Sequence, residues 1–513
     1  MALNQKIKNL NELALILQKL KNKGKKIIHC HGVFDLIHPG HIRHFHAAKA
    51  LGDILAVTIT PDRYVNKGPD RPVFTEELRT ESIAALECVN YVAINHWPKA
   101  AETIIKLKPD VYVKGSDYVE ADKDETRGIF LEREAVESVG GKIHFTDEIT
   151  FSSSSLINEY FEVYPEPAKN FLKNFRKRHS ADEVIGLVKS LKEMKVLLIG
   201  ETILDEYHYV AAIGKPPKGD HIAAKFIGEE IHAGGVLACA NHIANFCGSV
   251  DLITAVGKSD FKEEFVRASL KYNVNPHIFS YPTAPTIVKR RYVNQIFLNK
   301  LFEIYVIDDR PSPELETEIL THLTAIFSEK EPYDLILVLD YGHGLLTPAL
   351  INLICDQNCF LAVNAQTNTA NAGYNSVIKY RRANYFCLDE PELRLAFSDK
   401  YSDVNQLLTR LAERVSLPGG AITVTRGHLG SVTYDVTNNR FFEAPVLSQK
   451  IVDTTGAGDA FLAITAPCIA RNIPMDLVPF IGNAVGALAV GYLGNRSAVE
   501  EAPLYKFITA LLK

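Results

Sequence analysis

The chain has 513 residues, enough for more than one domain, and its 47% apolar and 23% charged content excludes a mainly disordered protein. Its 56 Lys and Arg stand against 61 Asp and Glu, a net charge of −5, so bulk electrostatics argue against nucleic acid as a partner. Eight scattered cysteines with no Cys-x-x-Cys spacing give no disulfide framework and little support for structural zinc.

In chain order, the polar start Met1-Ala2-Leu3-Asn4-Gln5-Lys6 is unlike a signal peptide and leads us to expect a cytoplasmic protein. Residues 26–30, 53–60, 91–94 and 111–113 read as strands, with helices over 41–51 and 76–86 between them. Strands separated by helices imply a parallel sheet covered on both faces, so residues 25–160 are expected to form one α/β domain. Tyr164-Pro165-Glu166-Pro167 and the basic stretch 169–178 then read as a linker, 161–194. A second α/β series occupies 195–513, its clearest strands at 335–339, 360–363 and 421–424. The uncharged run 477–495 approaches membrane-span length, but Pro479, Asn483 and its glycines favour a buried helix ending in a turn. No membrane partner is expected.

The first chemical constellation is Gly32-Val33-Phe34-Asp35-Leu36-Ile37-His38-Pro39-Gly40-His41, placed after a strand and opening a helix. That junction offers unpaired backbone N–H groups and the positive end of a helix dipole, a seat for phosphate. Gly32 and Gly40 let backbone approach a ligand, and His38 and His41 can converge on one anion as donors. His29, His31, His44 and His46 crowd the same region, yet acidic or thiolate partners at a zinc spacing are missing. We expect no metal held by them.

These residues resemble the cytidylyltransferase-like nucleotidyltransferases over residues 25–160. The stretches Lys67-Gly68-Pro69-Asp70-Arg71-Pro72 and Val113-Lys114-Gly115-Ser116-Asp117-Tyr118 match the adenylyltransferase domain of bifunctional heptose-phosphate enzymes. The resemblance implies a Rossmann-like domain in which His38 and His41 polarise the phosphates of a nucleoside triphosphate and Lys67 sits near the α-phosphate. It places Gly32, Phe34, Asp35, Gly40, Lys114 and Gly115 around the nucleotide, and Ser153, Ser154 and Ser155 at the β- and γ-phosphates. Asn158 stands where the family often carries an arginine.

The second constellation is Asp453-Thr454-Thr455-Gly456-Ala457-Gly458-Asp459-Ala460-Phe461, a Gly-rich turn before an apolar helical run. Backbone N–H groups of Gly456, Ala457 and Gly458 form an anion hole at the helix start, and Asp459 is placed to take a proton from an attacking hydroxyl. The string closely resembles the sugar kinases of ribokinase and minor phosphofructokinase type, with further landmarks over residues 195–513. The resemblance implies a ribokinase-like α/β domain with a small β lid and Asp459 as the base. Asp205, Gly234, Gly235 and Asn241 would meet the sugar. Thr425, Arg426, Gly427 and Asn483 would lie along ATP, and Glu392 would hold Mg²⁺ indirectly. Three positions depart from that pattern: Asp389 replaces the amide of Asn-x-x-Glu, Asn364-Ala365-Gln366 replaces Asp-Pro-Lys, and His343 replaces a lysine.

Together the resemblances imply a bifunctional sugar-activating enzyme whose domain order is inverted relative to the heptose enzymes. ATP would phosphorylate a sugar or sugar phosphate, and an NTP would then yield a nucleotide-sugar and pyrophosphate. The alternative is a CTP-dependent polyol or phosphonate cytidylyltransferase fused to a sugar-binding, inactive kinase-like domain. The expected cofactors are Mg²⁺ and ATP, with CTP open for the first domain. The expected assembly is a homodimer through the kinase domain.

Overall fold

The computed structural model describes all residues except 1–2, 70, 116–127, 147–163, 217, 261, 297–298, 329–332, 449 and 493. The chain divides into two compact units, one of residues 1–164 with 502–513, the other of residues 165–501.

In the first unit, β1 (Ile27–Gly32), β2 (Ile54–Ile59), β3 (Tyr91–Ile94), β4 (Val111–Gly115) and β5 (Lys142–Thr146) form a parallel sheet in the order β3-β2-β1-β4-β5. Ile27, Ile28 and Cys30 of β1 and Leu55, Ala56, Val57 and Ile59 of β2 are apolar and buried, as parallel strands covered on both faces require. Helix Leu10–Lys21 covers one face with Leu10, Leu13 and Leu17, spaced along a single helical stripe and capped by Asn9. Helix Pro39–Ala50 contributes Phe45 and Ala48 to a separate core with Ile28, Cys30, Leu55 and Val57. Because β1 has β2 on one side and β4 on the other, the strand order reverses there. The carboxyl ends of β1 and β4, where Gly32 and Gly115 stand, flank this reversal, the place where ligands bind in open α/β sheets.

In the second unit, the strands are β6 (Lys195–Gly200), β7 (Thr202–Gly214), β8 (Ala223–Gly235), β9 (Ser249–Gly257), β10 (Val274–Tyr281), β11 (Ile287–Asn294) and β12 (Lys300–Val306). They continue with β13 (Leu335–Asp340), β14 (Leu361–Ala365), β15 (Tyr385–Asp389), β16 (Ala421–Thr425), β17 (Ser431–Asp435) and β18 (Arg440–Ala444). Nine of them form one sheet, β10-β9-β6-β13-β14-β15-β16-β17-β18, parallel up to β16 and antiparallel beyond it. The other four make a separate sheet, β12-β11-β7-β8, which is the expected small lid. Only Glu201 separates β6 in the large sheet from β7 in the lid, so residues on the two sheets meet at that corner.

Residues 165–194, read from the sequence as linker, instead fold as helices Glu166–Phe175 and Ala181–Lys189 within the second unit. The reason is apolar: Phe175 is buried with its ring 4.4 Å from that of Phe480. The uncharged run contains helix Val478–Ala489, mostly buried, and no helix among the described residues is long and apolar enough to cross a membrane.

Candidate active sites

In the first unit, the chain leaves β1 at Gly32 and turns through Phe34, whose φ is 50°. A Cβ on Gly32 would fall 2.9 Å from Phe34 Cζ, so glycine lets the ring lie against the strand end. That ring meets His41 edge-on, with centroids 5.2 Å apart. His38 is the N-cap of helix Pro39–Ala50, Gly40 is buried in its first turn, and the imidazoles of His38 and His41 stack with centroids 3.9 Å apart. Burial pushes both below the ordinary histidine range, the Lys67 charge adds to this, and His41 falls to about 3. Both rings are therefore neutral at pH 7. Burial also lowers the Lys67 ammonium, to about 8.

Asp35, expected around the nucleotide, is held by protein groups. It is buried, accepts the N–H groups of Val73 (2.8 Å) and Phe74 (3.2 Å), and faces Arg71 Nη1 at 3.3 Å. A carboxylate only accepts hydrogen bonds, so Asp35 serves to fasten the segment after Lys67 beside the histidines. Lys114, the next-to-last residue of β4, forms an ion pair with Glu132 Oε2 at 3.0 Å, and a Cβ on Gly115 would meet nothing within 4 Å among the described residues. Ser153, Ser154 and Ser155 lie outside the described residues. The neighbouring histidines are occupied by hydroxyls: His29 and His31 share Thr58 Oγ1 (2.8 and 2.9 Å), and His44 meets Thr146 Oγ1 at 2.8 Å.

In the second unit, Gly456 opens helix Ala457–Ala470 with φ 80°, and a Cβ there would lie 2.0 Å from Asn495 Oδ1. Gly458 has open space around it, and Asp459 sits buried in the first turn. Tyr341, just past β13, donates its hydroxyl to Asp459 Oδ1 at 3.1 Å. Burial raises Asp459 to about 7, the Asp205 charge adds to this, and the Tyr341 bond and the Lys289 charge oppose it.

Asp205 lies on β7 beside Lys289 of β11, and both are buried. One oxygen of Asp205 accepts from Arg291 Nη1 and the other from Asn495 Nδ2 (3.0 Å). A Cβ on Gly234 would lie 2.3 Å from Asp205 Oδ2, and Gly235, with φ 55°, packs on Glu201 O and Ile203. Asn241 is taken up elsewhere: its amide bridges Ser269 O (2.9 Å) and Lys271 N (3.0 Å). Asn483 likewise donates to Ala444 O (2.7 Å) and Pro445 O (2.9 Å), bracing the end of β18. Thr425 ends β16, Arg426 pairs with Glu390 at 3.1 Å, and Gly427 turns with φ 53°.

Glu392 and Asp389 form a capping box at helix Glu390–Ala396, each side chain accepting the other's backbone N–H at 2.7 Å. Glu392 also accepts Thr367 N at 3.1 Å. Burial raises both carboxyls, and the Asp459 charge adds to the effect on Glu392. The Asp389 and Asp459 charges both act on Glu392, an arrangement that favours a nearby cation. Among the described residues no three metal-ligating side chains converge on one point. His343 is buried, and neither ring nitrogen has a hydrogen-bond partner among the described residues.

Sequence reasoning missed Lys289 and Arg291. The usable signal was their two-residue spacing in the strand, which puts both cations on the buried face.

The family model for pfkB family carbohydrate kinase matches residues 194–502, and the cytidylyltransferase-like family model matches residues 29–159. Curated relatives include "Bifunctional protein HldE" of Pelobacter propionicus, 36% identical over 164 residues, and its namesake in Geobacter metallireducens, 37% identical over 167 residues. Each of these matches covers 31% of this chain and 32% of the relative, so the chain spans about a third of the length of these proteins.

Proposed function

The chain belongs to the pfkB family of carbohydrate kinases, and on that premise we propose that it is a bifunctional sugar-activating transferase. Residues 165–501 would pass a phosphoryl group from ATP to a hydroxyl of a sugar or heptose-like sugar phosphate. The first unit would pass a nucleotidyl group from an NTP, ATP in our reading, to the sugar 1-phosphate, with pyrophosphate leaving. Relatives that are named bifunctional, together with the two family matches, support the pairing. Both substrates are charged small molecules of the cytoplasm, where we place the protein.

The observation that carries the kinase reading is Asp459 at the first turn after Gly456-Ala457-Gly458, buried and raised to about 7. A base poised near neutral pH removes the proton of an attacking hydroxyl most effectively. The backbone N–H groups at the same helix start face the charge of the transferring phosphoryl group. Mg²⁺, when bound, neutralises the polyphosphate, and Glu392 with Asp389 would hold it through water. In the first unit, His38 and His41 act as neutral donors to the phosphates while Lys67 supplies positive charge.

The test follows ADP and pyrophosphate release separately on a panel of sugar phosphates and NTPs. Asp459→Asn should silence only the first signal and His41→Ala only the second. A wild type that releases neither product on any member of the panel would refute the proposal.

A further inference from the structure

Residues 502–513 follow the second unit in sequence yet cluster with the first. They lie almost wholly beyond both family matches, which end at residues 159 and 502. Helix Glu501–Leu512 buries Leu504, Tyr505, Phe507, Ile508, Ala510 and Leu511, a commitment of apolar surface expected of a core element. It packs against the turn that follows Lys67. Gly68 has a φ of +97°, and a Cβ there would fall 2.0 Å from Phe507 Cδ2. Only a glycine admits that ring, and the ring in turn limits where the backbone next to Lys67 can go.

The same helix brings charge. Lys506 and Lys513 are exposed, and their charges, with that of Arg71, add to burial in lowering Lys67, against the opposing charge of Asp35. Lys67 in turn acts on His38 and His41. The positive charge that this helix adds around Lys67 favours a polyphosphate at the turn.

We propose that helix Glu501–Leu512 is a working part of the nucleotidyl-transfer site, Phe507 fixing the Lys67–Gly68 turn and Lys506 with Lys513 adding positive charge for the triphosphate. This rests on the reading of the first unit given above. Phe507 is a positioning residue, acting through Lys67.

The experiment uses full-length Phe507→Ala, Phe507→Leu and the double variant Lys506→Gln/Lys513→Gln. Pyrophosphate release is followed against pH and NTP concentration, with ADP release from the kinase reaction as an internal control. Phe507→Ala should lower kcat for pyrophosphate release on the order of a hundredfold, the scale of a misplaced reacting group, with Phe507→Leu recovering most of it. The double lysine variant sits at exposed positions and should fold normally. It should raise KM for the NTP, most strongly at low salt, and move the alkaline limb of pyrophosphate release upward, because Lys67 loses two like-charged neighbours. ADP release should stay unchanged throughout. An active wild type whose variants keep native KM, kcat and pH profile would overturn this proposal alone. A wild type that binds no NTP would overturn the site reading and the helix's role with it.

Discussion

Arg291 and Asp205 form a buried ion pair across neighbouring lid strands, and the Arg291 Nε also donates to Glu303 Oε1 at 3.0 Å. The residue expected to meet the sugar is thus already held by a guanidinium. Arg291→Ala removes one buried partner of the Asp205 carboxylate and leaves it Asn495 and the neighbouring Lys289 charge, so the loss should fall at or below the ~3–5 kcal/mol of a fully broken buried pair. We expect a lower denaturation midpoint and a raised KM for the sugar, with pyrophosphate release untouched. Kinase kcat/KM that rose in Arg291→Ala would instead make the arginine a block on Asp205.

Asp459→Asn tests base and burial at once. The raised Asp459 pKa favours folding at low pH, and that contribution is lost as pH climbs from the unfolded value of 3.8 through about 7. The wild type therefore loses stability over that window, and the amide does not. The variant should lose phosphoryl transfer, keep sugar affinity, and unfold at higher denaturant above pH 7, by up to ~4 kcal/mol at about 1.4 kcal/mol per pH unit. For the wild type, kinase kcat should rise with pH through about 7. A flat profile between pH 5 and 9 would remove Asp459 as the group that titrates.

For the nucleotidyl-transfer site, His38→Ala and His41→Ala should each cost on the order of a hundredfold to a thousandfold in pyrophosphate release. Since His41 is held near 3, no acid limb at the usual histidine value near 6.5 should appear in that rate. An inflection there that vanishes in His41→Ala would show that the ring works as a cation.

Gly456→Ala probes the helix start directly. It places a Cβ on Asn495 Oδ1 and forces a side chain onto a φ of 80°. Left-handed backbone at a non-glycine residue costs on the order of 1–3 kcal/mol before the clash is counted. Because Asn495 also bonds Asp205, the variant should raise the sugar KM as well as lower kcat. A change confined to the thermal midpoint would argue that the turn is structural alone.

What could be read from the sequence was local. The strings ending at His41 and Asp459 each occupy one strand-to-helix or turn-to-helix junction, so spacing alone set their geometry, and strands 26–30, 53–60 and 91–94 came within two residues of β1, β2 and β3. What escaped depends on distant partners. Asp35 carries no local sign that Val73 and Phe74 claim its carboxylate, nor Asn483 that its amide braces β18. The helices after Tyr164 looked like linker because Pro165, Pro167 and the lysines dominate the composition, while Phe175 finds Phe480 only in the folded chain.

The two-segment make-up of the first unit has a consequence for how the protein is born. Synthesis delivers residues 1–164 first, but Phe507 reaches Gly68 only after all of residues 165–501 have been made. Domains generally fold as the chain emerges, so the kinase unit can be complete while the earlier unit still lacks its final helix. Closing so long a loop adds only slowly to the entropic cost, and a second unit already folded shortens the slack that must be searched. Nucleotidyl transfer would then be the last activity to mature, switched on by the arrival of Phe507.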